Sequence, residues 1–436
     1  MQTVKGGTFD TGDTAGQTGT DNLNEGPASQ DGGKEIKKGM TQKVLAKRIR
    51  MAAEGRSRSD YEKIYHLTQM RWNQVQHPLG GLGLLEDQIA QIAGLTLCTD
   101  VSLDKKAVVI FCADNGVTAE GIAQTNSSVT GIVARRMAEG KTAVCRMAAK
   151  AGADVIPVDM GMKDFSETDG ILNRRVANGT GNIFRENAMT RQQAEAAILT
   201  GIDLAEKLSK DGYRLLGAGE MGIGNTTTAS ACACVLLGAD PARMTGKGAG
   251  LTEEGLRHKI KVVQGAIRRS GFDRSFSFRE EGIRQADTRQ ADTGQADARQ
   301  KAVKQSPGSE TAPDAIEVLR SVGGFDLLGM CGLYLGGWIC QIPVLIDGFA
   351  SSVAALAAVR ICPACADAIL ASHRSSEPAA GTVLEALGKK PLITGNLHLG
   401  EGTGAVLAMP MLDMALSVYK ESVLFGEGGV RQYREL

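Results

Sequence analysis

Apolar residues fall along this chain in two alternating rhythms. Five short stretches are apolar almost without a break: Ala107-Val108-Val109-Ile110-Phe111, Asp154-Val155-Ile156-Pro157-Val158, residues 213–216, Pro343-Val344-Leu345-Ile346 and Ala368-Ile369-Leu370-Ala371. Such runs suit parallel strands covered on both faces. Between them apolar positions recur at helical spacing, for example over residues 192–208 and 326–338. Strand and helix in turn predict an α/β fold, an open and mostly parallel Rossmann-like sheet flanked by helices. Ahead of the first strand, residues 40–97 carry a helical pattern broken at His77-Pro78-Leu79-Gly80-Gly81. There Leu84, Leu85, Ile89, Ile92 and Ala93 share one face, while Glu86, Asp87, Gln88 and Gln91 point away. Another helical run occupies residues 406–418. The pattern predicts a small helical domain from residues 40–99 plus 405–436, beside an α/β domain over residues 100–404.

Two regions lack both rhythms. Residues 1–39 hold almost no large apolar side chain and are expected to form a disordered tail. Within residues 271–313 a five-residue unit recurs (Arg284-Gln285-Ala286-Asp287-Thr288, then Arg289-Gln290-Ala291-Asp292-Thr293) with no apolar face to bury. It reads as a solvated, low-complexity insertion in a connecting loop.

The polar and glycine-rich tail of each strand carries the candidate chemistry. The tails are Cys112-Ala113-Asp114-Asn115-Gly116, Asp159-Met160-Gly161-Met162, residues 217–224, Asp347-Gly348 and Ser372-His373-Arg374-Ser375. Open α/β sheets bind ligands beyond the carboxyl ends of their strands. In the third tail, Gly217, Gly219, Gly222 and Gly224 suit a turn that approaches a ligand closely. Asn225 and the threonines at 226–228 suit the first turn of a helix, as cap and hydroxyl donors. Amides and helix dipole converge there on a site for an anion such as a phosphate. Residues 217–222 also match G-x-G-x-x-G, which leaves a dinucleotide oxidoreductase as an alternative. No strand bearing an acidic residue follows at the distance that fingerprint needs. Lys247 is followed by Gly248 and lacks the hydroxyl residue of a P-loop. A second glycine turn, Leu399-Gly400-Glu401-Gly402-Thr403-Gly404-Ala405, sets a carboxylate at a helix start. Glu401 either caps that helix or stands free for chemistry.

Composition narrows the field. Lys+Arg and Asp+Glu both number 49, so the net charge is zero and nothing favours nucleic acid or a membrane surface. Gly is abundant at 55 and aromatics scarce at 4%, which fits a glycine-turn α/β enzyme better than a β-sandwich. Nine cysteines scattered in apolar context read as reduced, buried thiols, and with no apolar leader or membrane-length run the protein is expected in the cytoplasm. Cys362-Pro363-Ala364-Cys365 is a lone pair, two ligands short of a zinc site. Ser372, His373 and Glu377 lie too close in sequence to align as nucleophile, base and orienter. No strand ends in the adjacent acidic pair that a magnesium-dependent phosphoribosyltransferase would need. No metal and no cofactor is expected.

Several long motifs then stand in order: Ala113-Asp114-Asn115-Gly116-Val117-Thr118-Ala119-Glu120-Gly121, Gly219-Glu220-Met221-Gly222-Ile223-Gly224-Asn225-Thr226-Thr227, Gly246-Lys247-Gly248-Ala249-Gly250-Leu251, Val322-Gly323-Gly324-Phe325, Ser372-His373-Arg374-Ser375-Ser376-Glu377-Pro378 and the turn around Glu401. Together they resemble the nicotinate-nucleotide–dimethylbenzimidazole phosphoribosyltransferase family of cobalamin assembly. The resemblance runs from about residue 78 to the C-terminus, the repeat insertion apart.

It implies transfer of the ribose phosphate of nicotinate mononucleotide to a nitrogen of a benzimidazole-type base. Inversion at C1′ then gives α-ribazole phosphate and nicotinate. It also implies that Glu401 is the general base, taking the proton the incoming heterocycle gives up. Glu220, Gly222, Ile223, Gly224, Asn225 and Thr226 would lie near ribose and phosphate. Gly248 and Gly250 match a second phosphate-side turn, and Lys259 a lysine near the phosphate. Asp347 would hold ribose hydroxyls, orient a neighbour or cap a helix; Ser372 and Leu399 complete the substrate side. The base pocket would include Thr125, but here Gln124-Thr125-Asn126-Ser127 replaces the aromatic and glutamine usual in relatives. His398 and His77 stand where an arginine and a lysine are usual. These departures spare the reaction class and leave base preference open. The resemblance further implies a homodimer, with residues near the N-terminal helices completing the partner's site.

Overall fold

The computed structural model describes residues 40–275, 313–427 and 429–433. The expected tail at 1–39 and the repeat at 284–300 lie outside them. In chain order the described elements are α1 (Met40–Glu54), α2 (Arg58–Trp72), α3 (Leu84–Thr96), β1 (Lys106–Ala113), α4 (Ser128–Ala138), α5 (Ala143–Ala151), β2 (Ala153–Gly161), β3 (Leu172–Asn173), α6 (Arg191–Lys210), β4 (Leu215–Met221), α7 (Asn225–Leu237), α8 (Pro241–Met244), α9 (Glu253–Arg269), α10 (Ala315–Val322), α11 (Phe325–Ile339), β5 (Val344–Ile346), α12 (Phe349–Ile361), β6 (Ile369–Ala371), α13 (Ala380–Ala386) and α14 (Thr403–Glu421).

The strands form one parallel sheet in the order β3-β2-β1-β4-β5-β6. All five expected strands are present. The sixth, β3, spans two residues and is too short to leave a pattern. Side chains of β1 alternate between two cores: Ala107, Val109, Phe111 and Ala113 face α6, α7, α11 and α12, whereas Val108, Ile110 and Cys112 face α3, α5 and α14. This two-residue period on a strand buried on both faces explains why its sequence is apolar throughout.

Two expectations need correcting. Residues 217–219 lie within β4 rather than in the turn, which begins beyond Met221. Their glycines serve packing: a Cβ on Gly217 would sit 2.9 Å from the Ala405 Cβ, and one on Gly219 would sit 2.7 Å from the Gly402 nitrogen. The start of α14 thus rests directly on the strand. Gln88 and Gln91, expected to point away, are buried. Gln88 Nε2 donates to the Ala371 carbonyl, and Gln91 Nε2 to those of Asp367 and Ile369, each at 2.9 Å. They satisfy carbonyls at and just before β6, the edge strand of the sheet among the described residues.

The helical ends of the chain meet. Val75 and Leu424 form an antiparallel bridge, and the Trp72 and Tyr419 rings lie 5.0 Å apart. At the sheet, order reverses on either side of β1, which opens a crevice beyond the carboxyl ends of β1 and β4. Register makes those ends level: Phe111 pairs with Glu220, Ile346 with both Ala218 and Ala371. Gly219, Asp347 and Ser372 therefore emerge side by side.

Candidate active site

Glu220 is the penultimate residue of β4 and is half-buried. Its Oε2 accepts a hydrogen bond from the Asn225 amide. Asn225 is therefore not the cap expected from sequence: Gly224 takes the cap position at φ 94°, with no side-chain cap. Ile223 N–H donates to Thr130 Oγ1 at 3.3 Å, tying the turn to α4. A Cβ on Gly222 would approach the Ala113 carbonyl to 2.4 Å, so only glycine fits where the turn crosses the end of β1.

On the far side of α7's first turn, the buried Lys259 donates to Thr226 Oγ1 at 2.8 Å and to the Gly246 carbonyl at 3.0 Å. Burial pushes its ammonium down to about 8, against the raising field of Glu377. The adjoining turn takes left-handed conformations at Gly248 (φ 57°) and Gly250 (φ 99°). The Gly248 N–H is already donated to Glu377 Oε1 at 2.9 Å.

Opposite lies Glu401. Residues 400, 401 and 402 have φ of 82°, 59° and 79°, so a non-glycine residue is held left-handed between two glycines. Asp347 enforces that geometry from the end of β5: its Oδ2 accepts from Gly402 N–H at 2.9 Å and its Oδ1 from Gly404 N–H at 2.7 Å. Asp347 thus caps α14 from another strand, and Glu401 does not cap it. Glu401 Oε2 is buried without a hydrogen-bond partner. Burial first, then the Asp347 charge, raise the Glu401 carboxyl above its ordinary value. The turn touches β4: a Cβ on Gly400 would lie 3.4 Å from Glu220 Oε1.

Four carboxyls gather here. Glu220 is raised well above the usual carboxylate range by burial and by the fields of Asp326, Asp347 and Glu401. Burial pushes Asp326 up to about 6. Asp347 is raised by burial against the pull of His373 and of the amides it accepts from. His373, buried beside it, is held below the usual imidazole value by burial.

Sequence reasoning named Asn115 in the tail of β1 but missed its partner Asp326, whose Oδ2 accepts from Asn115 Nδ2 at 3.4 Å. The available signal was Val322-Gly323-Gly324-Phe325, one residue short: a Cβ on Gly324 would come within 2.4 Å of both Asn115 Oδ1 and Asp326 Oδ1. Ser372 turns its hydroxyl into the sheet, donating to the Ile346 carbonyl at 2.5 Å. Thr125 and Leu399 are exposed. The neighbouring Gln124 side chain donates to the Gly250 carbonyl, joining the 124–127 stretch to the turn at residues 248–250. Among the described residues no cluster of three or more His, Cys, Asp or Glu is placed to hold a metal ion, and no helix is long and apolar enough to cross a membrane.

Such a site combines a glycine turn at a helix start, a cluster of buried carboxyls and an unpartnered carboxylate oxygen at Glu401. It can bind a phosphate, stabilise positive charge developing on a sugar, and accept a proton. A family model described as phosphoribosyltransferase matches residues 59–280 and 287–430. The chain is 41% identical over 374 residues to the nicotinate-nucleotide–dimethylbenzimidazole phosphoribosyltransferase of Acetivibrio thermocellus, covering 86% of this chain and 96% of that one. It is 39% identical over 343 residues to the enzyme of the same name from Escherichia coli O157:H7, covering 78% and 85%. Among solved structures, that of the Thermus thermophilus enzyme of this name superposes with a TM-score of 0.71 at 34% identity, covering 85% of this chain and 99% of that one.

Proposed function

The chain belongs to the nicotinate-nucleotide–dimethylbenzimidazole phosphoribosyltransferase family, and we propose that Glu401 is the general base of its reaction. That reaction moves the ribose phosphate of nicotinate mononucleotide to a benzimidazole-type base, giving α-ribazole phosphate and nicotinate for the cobalamin nucleotide loop. The C1′–pyridinium bond breaks, its electron pair returns to the ring nitrogen, and nicotinate leaves without an acid. A lone pair on the heterocycle forms the new bond on the opposite face, and the proton on its other nitrogen goes to Glu401. A carboxylate raised by burial is a stronger acceptor for that proton than a solvated one. The observation that carries the assignment is the buried, unpartnered Glu401 Oε2 beside the Glu220 turn.

The first turn of α7, the turn at 248–250 and Lys259 hold the phosphate; Glu220 faces the ribose, while Asp347 orients the Glu401 turn. The field of Asp326 and Asp347 favours the positive charge that builds on the sugar as nicotinate departs. A homodimer fits the exposed Met51, Met70 and Met414 on the helices at both chain ends. Those helices would form the small helical domain, supported by the Trp72–Tyr419 contact. All nine cysteines are free, as a cytoplasmic setting requires. Incubation with nicotinate mononucleotide and a panel of benzimidazole and purine bases, read by mass spectrometry, tests the reading. Ribosylated benzimidazole with matching nicotinate release is expected; no ribosylated product from any base would reject it.

A further inference from the structure

Glu377 belongs to neither the nucleotide turn nor the Glu401 turn, yet it is built into the phosphate side. Its Oε1 accepts the Gly248 N–H at 2.9 Å, and its Oε2 is buried without a hydrogen-bond partner. That second oxygen lies so close to Gly246 that a Cβ there would sit 1.8 Å from it. Lys259 holds the same turn from the other side, through the Gly246 carbonyl at 3.0 Å. We propose that Glu377 is a positioning residue, pinning the turn at residues 246–250 and supplying the counter-charge that keeps Lys259 cationic for the substrate phosphate. The proposal rests on the reading of Lys259 as a phosphate ligand.

The surroundings of Lys259 leave Glu377 as the charge that acts on it. From α7 the lysine meets the uncharged Thr226. In the turn, Lys247 pairs at 2.5 Å with Glu253 at the start of α9. On α9, His258 is engaged with the Glu120 carbonyl. In α8, Asp240 caps its own helix and Arg243 is exposed, while Asp273 follows the far end of α9. With burial holding the ammonium at about 8, the lysine stands near the edge of losing its charge under working conditions.

Removing the Glu377 charge has opposite effects at the two ends of the pH range. At low pH Lys259 stays protonated, and a phosphate dianion is spared one repelling carboxylate. At high pH the lysine neutralises early and the phosphate loses its cation. The test is calorimetric titration of nicotinate mononucleotide into the full-length protein between pH 6.5 and 9, for wild type, Glu377→Gln, Glu377→Asp and Lys259→Met. Wild-type affinity should begin to fall near pH 8, and Glu377→Gln should move that bend down by about one pH unit. Affinity of the variant would then be about tenfold weaker at pH 8.5, yet no weaker than wild type at pH 6.5. Glu377→Asp keeps the charge and should keep the wild-type bend, and Glu377→Met removes the charge in the same way if the glutamine variant does not fold. An unmoved bend in the charge-removing variants, or the same loss at every pH, would overturn the proposal while a weakened Lys259→Met left the phosphate reading standing. Unchanged affinity in Lys259→Met would remove that reading, and the proposal with it.

Discussion

Asp347→Asn tests how the turn that carries Glu401 is held. Each carboxyl oxygen accepts one backbone N–H, from Gly402 at 2.9 Å and Gly404 at 2.7 Å, in a buried setting. Asparagine offers one acceptor oxygen and one NH2, so one of the two amides must face a donor. A hydrogen bond to a charged group contributes about 1.5–3 kcal/mol, and a buried amide left unpaired costs a similar amount, so a loss of about 2–4 kcal/mol is expected. It should appear as a lower urea midpoint. The turn at residues 400–402 then relaxes from its left-handed geometry, and misplacing Glu401 by about 1 Å is enough for a roughly 100-fold fall in kcat. The pH profile adds a second signature. Asp347 raises the Glu401 carboxyl, so without that charge the acid limb of kcat should move to lower pH. Wild-type stability together with an unmoved acid limb would refute the claim that Asp347 holds and tunes this turn.

Asp326→Asn should stabilise the protein near pH 7.5. A carboxyl lifted from 3.8 to about 6 on folding binds its proton more readily when folded, so the penalty is full above pH 6 and fades as pH falls toward 3.8. The gain is at most about 3 kcal/mol, offset by the weakened Asn115 contact, and should vanish near pH 4 in urea titrations. Gly404→Ala would set a methyl carbon 1.8 Å from His373 Nδ1 and 3.0 Å from Asp347 Oδ1. A loss of about 1–3 kcal/mol is expected, with kcat falling more than nicotinate mononucleotide affinity because the phosphate side is untouched. Equal stability to wild type would show that the start of α14 yields more easily than its packing implies.

Much of the fold was legible because burial on both faces writes itself as unbroken apolar runs, as in β1 with every position buried. Long-range pairings were not legible. Gln88 and Gln91 look like surface residues by composition, but the edge carbonyls of β6 draw them inward. Asn225 reads as a cap, yet the nearby Glu220 carboxyl competes for its amide and Gly224 takes the cap position. The α14 cap comes from Asp347, 55 residues away in sequence from Gly402, so local pattern left Glu401 looking like a capping residue. Asp326 resembled an ordinary acidic residue in a helix first turn. Only the tertiary arrangement shows it buried, with its charge acting on Glu220.

The most direct measurement is steady-state kinetics of Glu401→Gln with nicotinate mononucleotide and dimethylbenzimidazole, alongside nucleotide binding. Glutamine keeps the side-chain shape but cannot take the heterocycle's proton. Turnover should fall by about 100-fold or more, with nucleotide affinity within about twofold of wild type because that side chain is not placed among the phosphate ligands. Undiminished turnover in Glu401→Gln would contradict the assignment of this carboxylate as the proton acceptor.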